Sequence, residues 1–137
     1  IRDSCNKDSS KEIPDEVIVI VELIKNKNKS QEELKEFTKR YSDYVKSTES
    51  NTLGWTYHDA GDKIILIERY KNEAAIFNHI DNVSEGNPME DDFTGFIDHF
   101  IIDSIEYYGS TSQDFKTTIE SFGFPIRYKD LISGFTK

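Results

Sequence analysis

The sequence predicts an α+β domain, an antiparallel sheet with helices packed against it, and three observations point there. Apolar runs of eight or nine residues alternate with longer segments whose apolar residues recur every third or fourth position. Start and stop signals for helices, among them Ser30, Asn72 and Gly123, fall at the borders of those segments. The 137 residues, 36% hydrophobic and 12% aromatic, suffice for one sizeable core.

Residues 1–15, IRDSCNKDSSKEIPD, are polar and aperiodic and are expected to form a flexible arm ahead of a single domain at 16–137. VIVIVELI (17–24) is a β-branched run too short for a buried helix, so it reads as a strand covered on both faces. Glu22 interrupts it, and a carboxylate there needs a partner or a wet pocket. Ser30 and Glu33 form a capping box, after which Leu34, Phe37, Tyr41, Tyr44 and Val45 recur at helical spacing. Leu53, Trp55 and Tyr57 alternate with Gly54, Thr56 and His58, and the DAGD turn joins them to KIILIERY (63–70) in a hairpin. Asn72 caps a second helix, and Asn87 with Pro88 opens a third, whose stripe is Phe93, Phe96, Ile97 and Phe100. IIDSIEYYG (101–109) is the fourth strand. Thr111 and Asp114 can cap a last helix with Phe115, Ile119 and Phe122 on one face, and an extended, apolar tail follows Gly123. That tail is expected to pack on the domain or to cross to a second subunit. This order is the β-α-β-β-α-β ferredoxin-like plan with a C-terminal helix and tail added. Helices cover one face of such a sheet, yet these strands are apolar on both, so the other face is expected to pair with a second copy.

Composition excludes several classes. A net charge of −9 disfavours nucleic acid and anionic membrane as partners. No apolar run approaches the roughly 20 residues of a membrane span. The sole cysteine, Cys5, allows no intrachain disulfide, and no Cys/His cluster forms a zinc site, so no metal is expected. The acids Glu90, Asp91 and Asp92 suit a helix N-terminus better than a metal, because neighbours on a helix point in different directions. A cytoplasmic protein is expected; secretion is the alternative raised by a first residue other than Met and by two N-x-S sequons at Asn28 and Asn82.

LIERYKNEAAIFNHI (66–80) resembles the antibiotic biosynthesis monooxygenase (ABM) superfamily, in which a strand ends in Glu-x-aromatic and the next helix carries a small residue and then a histidine. Glu68, Tyr70, Ala74 and His79 occupy those places, TLGWTYH (52–58) is similar to the family's second strand, and the C-terminal segment to the extension of one subgroup. The resemblance implies a dimeric α/β barrel and a cofactor-independent monooxygenase acting on a flat phenolic, quinol or polyketide-like molecule. The haem-degrading branch fits poorly, since Glu22 stands where it has Asn and His79 where it has Trp.

On the residues themselves, His79 lies beside the apolar face of Ala75, Ile76 and Val83. It is either a core-edge histidine or a catalytic base facing a pocket; an ordinary imidazole pKa suits deprotonation of a phenol at neutral pH. Trp55, Tyr57 and Phe77 are candidates for an aromatic substrate pocket and equally for plain core. Glu22 either orients a histidine in that pocket or bonds a helix cap. Glu68 is expected to pair with a basic residue at the sheet edge, and His58 and His99 to face solvent. The rival to an enzyme is a non-catalytic member of the fold that binds a small apolar ligand or serves as a dimerisation module.

Overall fold

The computed structural model describes residues 14–137; Cys5 and nearly all of the expected arm lie outside the described residues. The elements are β1 (Val17–Lys25), α1 (Gln31–Thr48), β2 (Thr52–Ala60), β3 (Lys63–Tyr70), α2 (Glu73–Val83), α3 (Glu90–His99), β4 (Phe100–Tyr108), α4 (Gln113–Glu120) and β5 (Ile126–Lys129). The architecture is α+β, a five-stranded mixed sheet with four helices among the described residues, consistent with a ferredoxin-like fold. Strand order is β2-β3-β1-β4-β5. The first four strands pair antiparallel, with Val19 opposite Glu68 and Tyr107.

Alternation along β1 separates the two faces. Val17, Val19, Val21 and Leu23 are buried against the helices, whereas Ile18, Ile20, Glu22 and Ile24 are half-buried on the other face. Each fully buried aliphatic side chain such as Leu23 contributes about 2 kcal/mol. On α1, Leu34, Phe37, Tyr41 and Val45 of the predicted stripe are buried, Tyr44 is half-buried, and the Ser30–Glu33 capping box is present. Gly95 lets α3 approach α1, since a Cβ there would stand 2.9 Å from Cε1 of Phe37.

Several expectations need correction. The extended C-terminal segment contributes a true strand, β5, parallel to β4. Ser112, not Thr111, caps α4, because its hydroxyl accepts from Phe115 N–H. Tyr128 and Ile126 pack on the core, but the final residues do not join them: Ile132 is 94% and Phe135 77% exposed. His99 does not face solvent; it stacks on Phe37 at 4.1 Å and its Nδ1 bonds to the Gly95 carbonyl at 2.7 Å.

Candidate functional site

Between the sheet and helices α2, α3 and α4 lies a cavity of about 370 Å³. Its walls are apolar, with Val19, Leu66, Ile76, Phe96 and Ile105 among them. Phe122 and Phe124 also line it while remaining 48% and 38% exposed, so the segment between α4 and β5 forms its mouth.

The cavity's carboxylate and imidazole come from β3 and α2. Strand periodicity puts Leu66, Glu68 and Tyr70 on the helix-facing side of β3, and all three are buried. The Glu68 carboxylate therefore lies under the helices rather than at an edge, and no basic side chain forms an ion pair with it among the described residues. Its partner is Tyr70, whose hydroxyl donates to Oε1 at 2.5 Å. The neighbouring cation on β3, Arg69, points the other way and pairs with Glu16. Burial pushes the Glu68 carboxyl up to about 7; the charge of His79 and the Tyr70 hydrogen bond hold it down against that push, and the charge of Glu49 adds to it.

His79 reaches the same cavity from α2, one ring centroid 5.0 Å from Trp55 and 6.1 Å from Tyr70. Its Nδ1 is held by Glu49, 2.8 Å from Oε2 and 3.1 Å from Oε1. Burial disfavours the imidazolium, yet the hydrogen bond to Glu49 and the charges of Glu68 and Glu49 outweigh it, and the pKa is raised. Glu49 shows the mirror image: burial works to raise it, but the bond and charge of His79, with bonds from Asn82 and Thr52, leave it lowered. Both shifts favour the charged form of the pair. His79 is accordingly placed as a hydrogen-bond donor, and the group poised to take a proton near neutrality is Glu68.

Trp55 joins His79 at the cavity and stacks on Tyr41 at 5.6 Å. The other sequence candidates are not brought there. Tyr57 accepts from the Trp55 indole N–H at 3.0 Å, stacks on Phe100 and lines a smaller cleft of about 190 Å³ under α1. Phe77 meets Phe115 at 5.4 Å and fastens α4 to α2. Glu22 is on the opposite face of the sheet, where Lys63 bridges it and Asp103 at 2.9 and 3.0 Å. His58 is exposed and bonds to Thr56. Glu90, Asp91 and Asp92 occupy the first turn of α3, and no metal-binding group of acids, His or Cys occurs among the described residues.

Sequence reasoning missed Glu68 as a cavity group and Glu49 as the partner of His79. The signal for Glu68 was available in the period of two that puts it with Leu66 and Tyr70. For Glu49 the only hint was an acid just past a helix C-terminus, where the dipole disfavours it. The sequon at Asn82 is also spent internally, since its amide donates to Glu49 Oε2 at 3.1 Å.

No protein-family model and no curated protein matches the chain. Solved structures do. MupZ from Pseudomonas fluorescens superposes with a TM-score of 0.69 at 14% identity, covering 89% of this chain and 94% of its own. The structural-genomics protein YJCS gives 0.55 at 15% identity, over 72% of this chain and 99% of its own. Rv0793 from Mycobacterium tuberculosis gives 0.54 at 13%, over 72% and 97%. The likeness is one of fold: the chain has a ferredoxin-like α/β fold. No helix among the described residues is long and apolar enough to cross a membrane.

Proposed function

We propose that the chain is a cofactor-independent monooxygenase of the ABM kind, acting on a flat phenolic, quinol or polyketide-like molecule held in the cavity. The observation that carries this reading is an apolar, aromatic-walled cavity in which a carboxylate, a phenol and an imidazole stand together at Glu68, Tyr70 and His79. Apolar walls seat a flat ring and exclude water. Glu68 takes the phenol proton, and His79 donates to the oxygen left behind. The electron-rich phenolate passes one electron to dioxygen, and the superoxide and phenoxyl radical join at a ring carbon bearing hydrogen. Glu68 returns its proton to the peroxide, which loses water and leaves a carbonyl. One oxygen atom ends in the quinone and one in water.

The open sheet face supports a homodimer. Ile18, Ile20, Ile65 and Ile67 are half-buried there in a single chain, with the Glu22–Lys63–Asp103 cluster beside them. A second copy seated on this face would complete the barrel, with the exposed Ile132 and Phe135 within the same proposal as a segment crossing to the partner.

Oxygen uptake with a panel of hydroquinones and anthrones tests the reading. Consumption of one O₂ per substrate, lost in Glu68→Gln, is expected. Tight ligand binding without uptake would overturn it in favour of the non-catalytic binding module.

A further inference from the structure

Glu49 sits in an unfavourable place for an acid. It is the residue after the last turn of α1, at the negative end of the helix dipole, and it is only 2% exposed. Four contacts from two other elements converge on it. Thr52 of β2 donates to Oε1 at 2.7 Å, Asn82 of α2 to Oε2 at 3.1 Å, and His79 Nδ1 lies within reach of both oxygens. The carboxylate and the helix end both favour positive charge on the imidazole beside them.

The lining of the cavity makes that charge unusual. Among the side chains that line it, His79 alone can become cationic; the other ionisable ones are Glu68 and Tyr70 from β3, Tyr41 from α1 and Tyr107 from β4. With Nδ1 committed to Glu49, Nε2 of His79 has no hydrogen-bond partner among the described residues. A ligand oxygen is the acceptor it lacks.

We propose that Glu49 is a positioning residue that holds His79 as an imidazolium with Nε2–H offered to the cavity, so that the cavity binds its ligand as an oxyanion, a phenolate or enolate, in preference to the neutral hydroxyl compound. The ligand class rests on the proposed function; the role of Glu49 does not. The proton released by the ligand goes to Glu68, and the charge it leaves is matched by His79.

The probe is 7-hydroxycoumarin, whose absorbance separates phenol from phenolate, with its methyl ether as the form that cannot ionise. Wild-type protein is expected to bind the phenolate at least about tenfold more tightly than the ether, as a charge-assisted hydrogen bond allows. Glu49→Gln should erase about tenfold of that preference and leave the ether unchanged, and Glu49→Asp should restore part of it. Imidazole ¹⁵N spectra of the ligand-free protein read the second half: His79 should be doubly protonated at pH 7 in the wild type and carry a single proton in Glu49→Gln. If wild type binds neither probe form, the phenol reading of the cavity falls, while the spectra still decide the role of Glu49. Neutral His79 in the wild type overturns the proposal whether or not the variant folds, and so does an undiminished phenolate preference in Glu49→Gln.

Discussion

Replacing Glu68 by Gln isolates the cost of keeping a carboxylate in the cavity. Gln retains a carbonyl to accept the Tyr70 hydroxyl, so the main change is the removal of a titrating group. The Glu68 carboxyl rises from its ordinary 4.5 to about 7 on folding. Between those values the folded state holds a proton that the unfolded state has lost, so wild-type stability falls as pH rises through this window. Below 4.5 both states are protonated and the group contributes nothing; above 7 the penalty is complete. At about 1.4 kcal/mol per unit, the penalty is on the order of 3 kcal/mol. Removing the charge also withdraws some support from the His79 imidazolium, which brings the expected net gain to about 2–3 kcal/mol. For a domain of this size that is roughly 6–12 °C in melting temperature. Thermal unfolding of both proteins from pH 4 to 8.5 at constant ionic strength is the assay. The two should coincide near pH 4, and the variant should be the more stable by this margin at pH 8. A difference that stays flat with pH, or that turns in favour of wild type above pH 5, would refute the argument that burial dominates Glu68.

His79→Ala should cut turnover by about 10²- to 10⁴-fold in the oxygen-uptake assay. It should also destabilise the fold most where both partners are charged. The lowered Glu49 contributes stability above its ordinary 4.5 that is lost as pH falls, and the raised His79 contributes stability below its ordinary 6.5 that is lost as pH rises through the folded value. The gap between wild type and variant, measured by chemical unfolding, should therefore peak between about pH 5 and 7. Gly95→Ala should cost about 1–3 kcal/mol, because the added Cβ meets Phe37 and displaces the ring on which His99 stacks; urea unfolding that shows no loss would contradict this. Light scattering at micromolar concentration should give a dimer burying more than about 1,500 Å², and Ile20→Glu on the open face should give a monomer of unchanged secondary structure.

The local grammar of this fold was legible in the residues themselves. The capping box at Ser30, the Asn72 cap, the period of two in the strands and the period near 3.6 in the helices each depend on near neighbours, and α1, α2 and the first three strands lie where those signals put them, whereas α3 starts at Glu90, past Asn87 and Pro88, and gives Phe100 to β4. The same periodicity set His79 beside the apolar face of α2. Which way a charge turns when two elements meet is a long-range matter, and there tertiary structure decided. Alternation along β1 puts Glu22 on the face away from the cavity, and what meets it there is Lys63, 41 residues on. Glu68 became a cavity group because β3 turns that side toward the helices, whose packing strips its water and raises its affinity for protons. Glu49 and His79 are 30 residues apart, and only the packing of α2 against the end of α1 brings that carboxylate to Nδ1 and raises the affinity of the imidazole for protons. Pattern along the chain selects secondary structure because hydrogen bonding and burial of a stripe are local and periodic. The protonation state of a buried group depends on what the folded chain removes from around it and what it brings within hydrogen-bond distance, and neither is periodic.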